Sequence, residues 1–177
     1  MRSITKGSIV FAMTMLSAAC SGDISSAPLA PAGAALSQAG GKASLPFRGT
    51  VSSADASQVV GANLEITGTI EGTATHLGRY SATVVAVAPL GGPPTATGTY
   101  VFTTANGDHI TATMDGWSAP DGFGDFIFTE VLTIVGGTGR FASATGTLTI
   151  TKTVVIDFST NSSTGSGTIE GSIELNH

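Results

Sequence analysis

The sequence predicts an all-β fold: one eight-stranded antiparallel up-and-down β-barrel of the calycin-like kind. Two observations carry this. Glycine is abundant at 24 residues and threonine is frequent while aromatics make up only 6%, a balance that suits strands and turns better than helices. Apolar and polar residues also alternate strictly in several stretches, most clearly Leu64-Glu65-Ile66-Thr67 and Ile169-Glu170-Gly171-Ser172-Ile173, which is the period of a strand with one wet face. At 177 residues, 41% hydrophobic and 11% charged, the chain has room for one core of ordinary size.

The barrel does not begin at the N-terminus. Arg2 and Lys6 form a positive segment, residues 9–19 are apolar, and Ser17-Ala18-Ala19 leads into Cys20. This is an export signal, and its apolar run is shorter than the roughly 20 residues a spanning helix requires. Ser17-Ala18-Ala19-Cys20 resembles the bacterial lipobox, which implies cleavage after residue 19 and a lipid on the Cys20 thiol. Leu16 stands one place further from the cysteine than the lipobox leucine usually does. The alternative is an ordinary signal peptide cut nearby that leaves a free thiol. Cys20 is the only cysteine, so no disulfide forms within the chain. Ser21 follows it, and in the lipobox rule a residue other than Asp there directs the protein to the outer membrane. Residues 20–43 are rich in Ala, Gly, Ser and Pro and read as a flexible tether. The expected organisation is thus a signal peptide over 1–19, a lipidated cysteine and linker over 20–43, and a barrel over 44–177, with a membrane as partner through the anchor.

Strands are expected at about 44–52, 64–71, 78–88, 95–104, 108–116, 125–135, 140–158 and 168–175. Turns at 76–78, 105–107 and 136–139 read as tight, with Asn106-Gly107 a strong hairpin signal. The connections at about 53–61, 89–94, 117–124 and 159–164 read as long. In a meander the tight turns then fall on one rim and the long loops on the other, where the mouth is expected. Gly-Thr recurs at Gly49, Gly68, Gly72, Gly98, Gly146 and Gly167, and such glycines are read as bulges or bends of a closing barrel.

Val135-Gly136-Gly137-Thr138-Gly139-Arg140-Phe141-Ala142-Ser143-Ala144-Thr145-Gly146 resembles the signature shared by allene oxide cyclase-like and dirigent-like proteins. The segment from Gly72 to Tyr80 is similar to one met in bacterial members of that group. The resemblance implies an eight-stranded barrel around an apolar cavity that, in the plant relatives, steers cyclisation or coupling of small hydrophobic molecules. The plant cyclases' cavity residues include a cysteine and this barrel has none, so their chemistry does not carry over with the fold. By its own physics, Gly136-Gly137-Thr138-Gly139 supplies positive backbone dihedrals in a tight turn that returns Phe141 to the core. A phosphate cradle would need a helix to follow, and none is expected.

Among single residues Glu130 stands out as the candidate catalytic group. It shares a strand face with Phe126, Phe128, Leu132 and Ile134, so alternation places a carboxylate in an apolar interior, where it must protonate, pair or meet water. The bland alternative is a bulge that turns it outward, or a structural pairing with Arg79 or Arg140. Parity gathers His76, Asp108, His109 and Arg140 near the tight-turn rim, with Arg79 one step into its strand. Arg79, Arg140, His76, Phe126, Phe128 and Trp117 are the candidate ligand contacts, with Trp117, Phe123 and Leu90 in loops at the expected mouth. Two histidines beside an acid do not form a recognised zinc spacing, and neither a metal nor a cofactor is expected.

The net charge is −5, and loss of Arg2 and Lys6 with the leader makes the mature chain more acidic, which disfavours nucleic acid as a partner. Three functions remain open. The first is an envelope lipoprotein that binds a small hydrophobic molecule or serves as an interaction module. The second is an isomerase or cyclase that uses Glu130. The third is an integral outer-membrane barrel, which the polar strand faces oppose.

Overall fold

The computed structural model describes residues 43–175, so the leader, Cys20 and most of the tether lie outside the described residues. Eight strands run β1 (Ala43–Val60), β2 (Asn63–Ala74), β3 (Gly78–Pro89), β4 (Thr95–Thr104), β5 (His109–Pro120), β6 (Phe126–Gly137), β7 (Thr145–Asp157) and β8 (Ser162–Leu175). Each pairs antiparallel with the next, and β1 closes on β8 through a ladder from Ala43↔Leu175 to Ala56↔Ser162. The expected closed up-and-down barrel is therefore the fold.

Alternation decides what fills it. In β3 the even positions Tyr80, Ala82, Val84 and Ala86 are buried while Ser81, Thr83 and Val85 are exposed, and β7 buries Leu148, Ile150, Lys152 and Val154 in the same way. Threonines line much of the outer face, as at Thr147, Thr151 and Thr153. Around the end where β1 begins, Phe47, Leu77, Phe102, Ile110, Phe141 and Ile173 are all buried, and this end of the barrel is packed with side chains.

Three local expectations are corrected. Of residues 53–61, read as a long loop, all but Gly61 continue β1, and β1 and β2 join through Gly61 and Ala62 alone, with Gly61 at φ 61°. The small polar residues of this segment weaken its strand signal, yet pairing with β2 as far as Val60, and with β8 as far as Ala56, holds it extended. The 136–139 turn is not tight. A single 3-10 turn at Gly139–Phe141 intervenes, and β7 starts only at Thr145. Phe141 does return to the core; Gly136 and Gly139 take positive φ, whereas Gly137 is needed because a side chain there would meet the carbonyl of His109 and Cβ of Phe141. Finally, the Gly-Thr sites are not ladder irregularities. The register shift lies between Thr111 and Ala112, opposite Gly136 and Ile134.

Candidate functional site

The even-numbered face of β6 carries Glu130 inward, and its residue is only 6% exposed. Three other polar side chains meet it inside the barrel. Lys152 on β7 brings Nζ to 3.2 Å from Glu130 Oε1, and Asp55 on β1 holds Oδ2 4.0 Å from the same ammonium. Tyr100 on β4 donates its hydroxyl to Glu130 Oε2 at 2.6 Å. Ser53 donates to Asp55 Oδ2 at 3.2 Å, while Asp55 Oδ1 is buried without a hydrogen-bond partner.

Each charged member faces a glycine across the ladder: Asp55 opposite Gly68, Glu130 opposite Gly116, and Lys152 opposite Gly167. A Cβ on Gly68 would overlap Asp55 Oδ1, and one on Gly116 would come within 3.3 Å of Glu130 Cγ and 3.0 Å of Met114 Sδ. At Gly68 and Gly116 the missing side chain leaves room for the facing carboxylate, whereas at Gly167 a Cβ would meet the backbone of Thr151 and Lys152, so that glycine serves the close approach of the strands.

Burial raises the Asp55 pKa above 3.8, with Glu130 adding to the rise and the Lys152 cation and the Ser53 and Ser163 hydroxyls opposing it. The Tyr100 phenol is pushed well above its ordinary value of 10.0, by burial first and then by the adjoining Glu130 carboxylate. Tyr100 therefore remains a proton donor to Glu130 across the physiological range. With two carboxyl groups and one ammonium, the cluster carries a formal excess of one negative charge whenever both acids are ionised.

Above the cluster, toward the rim opposite the packed end, lies a cavity of about 420 Å³. Its walls are mainly apolar, with Leu64, Ile66, Val84, Ala86, Met114 and Val154 among them, and Asp55, Glu130 and Lys152 form its polar part. Pro93 and Pro94 from the β3–β4 loop, and Phe158 and Asn161 from the β7–β8 connection, line it near the opening together with Trp117, which is paired within β5 and not in a loop as expected. The mouth thus sits on the rim where the sequence placed it, although one of its four connections is the short Gly61-Ala62 turn.

The other expected contacts divide. Phe128 and Trp117 line the cavity, whereas Phe126 is partly buried but outside its lining, and Phe123 and Leu90 are exposed loop residues. The pairing of Glu130 with Arg79 or Arg140 is corrected: its cation is Lys152. Arg79 is exposed on the outside of the β2–β3 hairpin. Arg140 sits at the closed rim, donating to the His76 carbonyl at 2.5 Å and lying 4.7 Å over the Phe141 ring. His76 takes a φ of 66° in its turn and contacts the Pro46 carbonyl at 3.1 Å, and His109 Nδ1 lies 3.0 Å from Thr103 Oγ1. These rim groups tie connections together away from the cavity. Among the described residues no group of three or more His, Cys, Asp or Glu is gathered as for a metal ion.

Lys152, Asp55 and Tyr100 were not singled out by the sequence reading. The alternation Leu148, Ile150, Lys152, Val154 marks Lys152 as inward-facing, but in a single bent strand over 140–158 a bend can reverse that parity. Asp55 was hidden by the loop reading of 53–61, and Tyr100 is indistinguishable by pattern from any aromatic core residue. No family model, curated protein or solved structure matches the chain, so the likeness to allene oxide cyclase-like and dirigent-like proteins rests on the two sequence segments alone.

Proposed function

We propose that the barrel is a receptor for a small, largely apolar molecule, held at the bacterial cell envelope by a lipid on Cys20, with the outer membrane as the favoured site. The observation that carries the binding role is the asymmetry of the interior: one end is filled by aromatic and aliphatic side chains, and the other is left as a cavity of about 420 Å³ with greasy walls and a few converging polar groups. That size and composition match ordinary small-molecule sites. β1 begins at the packed end, so Ala43, the first described residue, lies at the end of the barrel opposite the mouth. The polar, threonine-rich outer faces suit water better than a lipid band. Native mass spectrometry of the protein from cell extract tests this reading. A retained small molecule, or binding of members of an apolar panel detected through the single tryptophan, Trp117 at the mouth, is the expected result. A protein that retains nothing and responds to no member of the panel would be an interaction module instead.

A second reading draws on one contact. Tyr100, Glu130 and Lys152 form a proton-donor and proton-acceptor set beside the cavity, and an isomerase or cyclase would use Glu130 there as acid or base. In an enzyme Glu130→Gln lowers turnover about 100-fold or more with little change in affinity, whereas a pure receptor has no turnover to lose.

A further inference from the structure

We infer that the ligand is an amphiphilic cation, an apolar body carrying a protonated amine that is received by Asp55. The inference rests on the binding role proposed above and names the class of molecule. Three observations lead to it. The cluster at the cavity holds two carboxyl groups against one ammonium, and the ammonium is already engaged with Glu130 at 3.2 Å and is farther from Asp55, at 4.0 Å. Asp55 lines the cavity with a side chain only 9% exposed, and its Oδ1 has no hydrogen-bond partner among the described residues. The space this carboxyl occupies is kept open by Gly68 directly across the ladder.

A buried carboxylate whose one cation is shared and 4.0 Å away, and one of whose oxygens accepts no hydrogen bond, is a costly arrangement that a second cation relieves. Without a ligand, the cheapest relief is a proton, consistent with the direction in which burial moves the Asp55 pKa. A protonated amine supplies the same positive charge, donates a charge-assisted hydrogen bond, and brings an apolar body to cover Leu64, Ile66 and Met114. Phe128 and Trp117 line the same cavity, and aromatic neighbours suit a cation better than an anion. A ligand carboxylate is disfavoured for the converse reason, since Lys152 has no unclaimed charge to offer it. A neutral alcohol fits the walls but leaves Asp55 either protonated or uncompensated.

Isothermal titration calorimetry of the full chain with cyclooctylamine, cyclooctanol and cyclooctanecarboxylate tests the inference, because the three share one apolar body. The amine is expected to bind about tenfold or more tighter than the alcohol at neutral pH, the effect of one charge-assisted contact, and the carboxylate weakest. Asp55→Asn is expected to remove the amine's advantage while alcohol binding stays within a few-fold. Should that variant fold poorly, the wild-type protein gives the same answer. The amine's advantage must shrink as pH falls and Asp55 takes up its proton in the presence of Lys152, Glu130 and Tyr100, the groups that face it. Equal or tighter binding of the alcohol overturns the choice of a cation while leaving an apolar receptor intact. Failure of all three compounds to bind overturns both.

Discussion

Gly68 and Asp55 share one volume: they face each other across the β1–β2 ladder, and the carboxylate lies where a side chain on Gly68 would stand. Gly68→Ala must therefore displace Asp55 or the strand, and overpacking of this kind costs about 1–3 kcal/mol. Asp55→Ala in the same chain vacates the space, so the methyl on residue 68 should be much better tolerated there. Urea denaturation of the two single variants and the double variant measures the coupling, which we expect to exceed about 0.5 kcal/mol, as for residues in direct contact. Additive effects would mean that the two positions do not compete for space.

The cluster depends on its only ammonium. Lys152→Met leaves Glu130 and Asp55 as two buried acids with no cation between them, and breaking a buried pair from one side costs about 3–5 kcal/mol. Removing the Glu130 charge in addition, as Glu130→Gln, should recover a large part of that loss, because an uncompensated charge is worse than none. Equilibrium denaturation of the variants checks the order of stabilities. A Lys152→Met variant within about 0.5 kcal/mol of wild type, the range of unremarkable surface changes, would show the pair to be solvated in solution.

The barrel was legible because its walls obey a period of two wherever the inner face is apolar, and Glu130 was legible for the same reason, as the one acid interrupting a run of Phe, Leu and Ile. The rest of the cluster was obscured by its own chemistry. Ser53, Asp55 and Ser57 put polar residues on the inward parity of β1, which erases the alternation that marks a strand and makes the segment look like a loop. Glycines opposite the charged residues were visible in the Gly-Thr repeats, but sequence does not distinguish a glycine that bends a strand from one that makes room for a neighbour. Which cation pairs with Glu130 is a question of register, and the adjacency of β6 and β7, with Glu130 opposite Ile150 and Lys152 next on the same face, resolves it. Arg79 and Arg140 lacked that placement: alternation turns Arg79 outward, and the 3-10 turn holds Arg140 at the rim.

Both tyrosines of the chain are inside the barrel, and both phenols are raised. Tyr80, which donates to the Thr50 carbonyl at 2.9 Å, is pushed by burial up to about 12, and Tyr100 is raised well above 10.0. A spectrophotometric titration of phenolate absorbance should therefore show no step near pH 10 while the protein is folded. In denaturant both tyrosines should titrate together near the ordinary value. A folded-state step at pH 10 would place at least one hydroxyl in water.

Asp55 gives the acid side of the stability profile an unusual sign. Its folded pKa lies above the 3.8 of the unfolded chain, chiefly through burial, so over the interval between the two values the folded state holds more protons than the unfolded one. Stability then falls as pH rises: the contribution is complete below about 3.8 and is lost as pH climbs through the folded value, the reverse of a carboxylate stabilised by ion pairing. Asp55→Asn cannot ionise and serves as the reference. The difference in unfolding free energy between wild type and Asp55→Asn, followed by urea denaturation from pH 3.5 to pH 7 (about the span over which buried carboxyl groups titrate), should move steadily against the wild type and then level off. An amine ligand of the kind inferred above should flatten that slope by supplying the positive charge the proton otherwise provides. A difference that instead grows in favour of the wild type would mean that Lys152 outweighs burial and that Asp55 is already a satisfied partner of the ion pair.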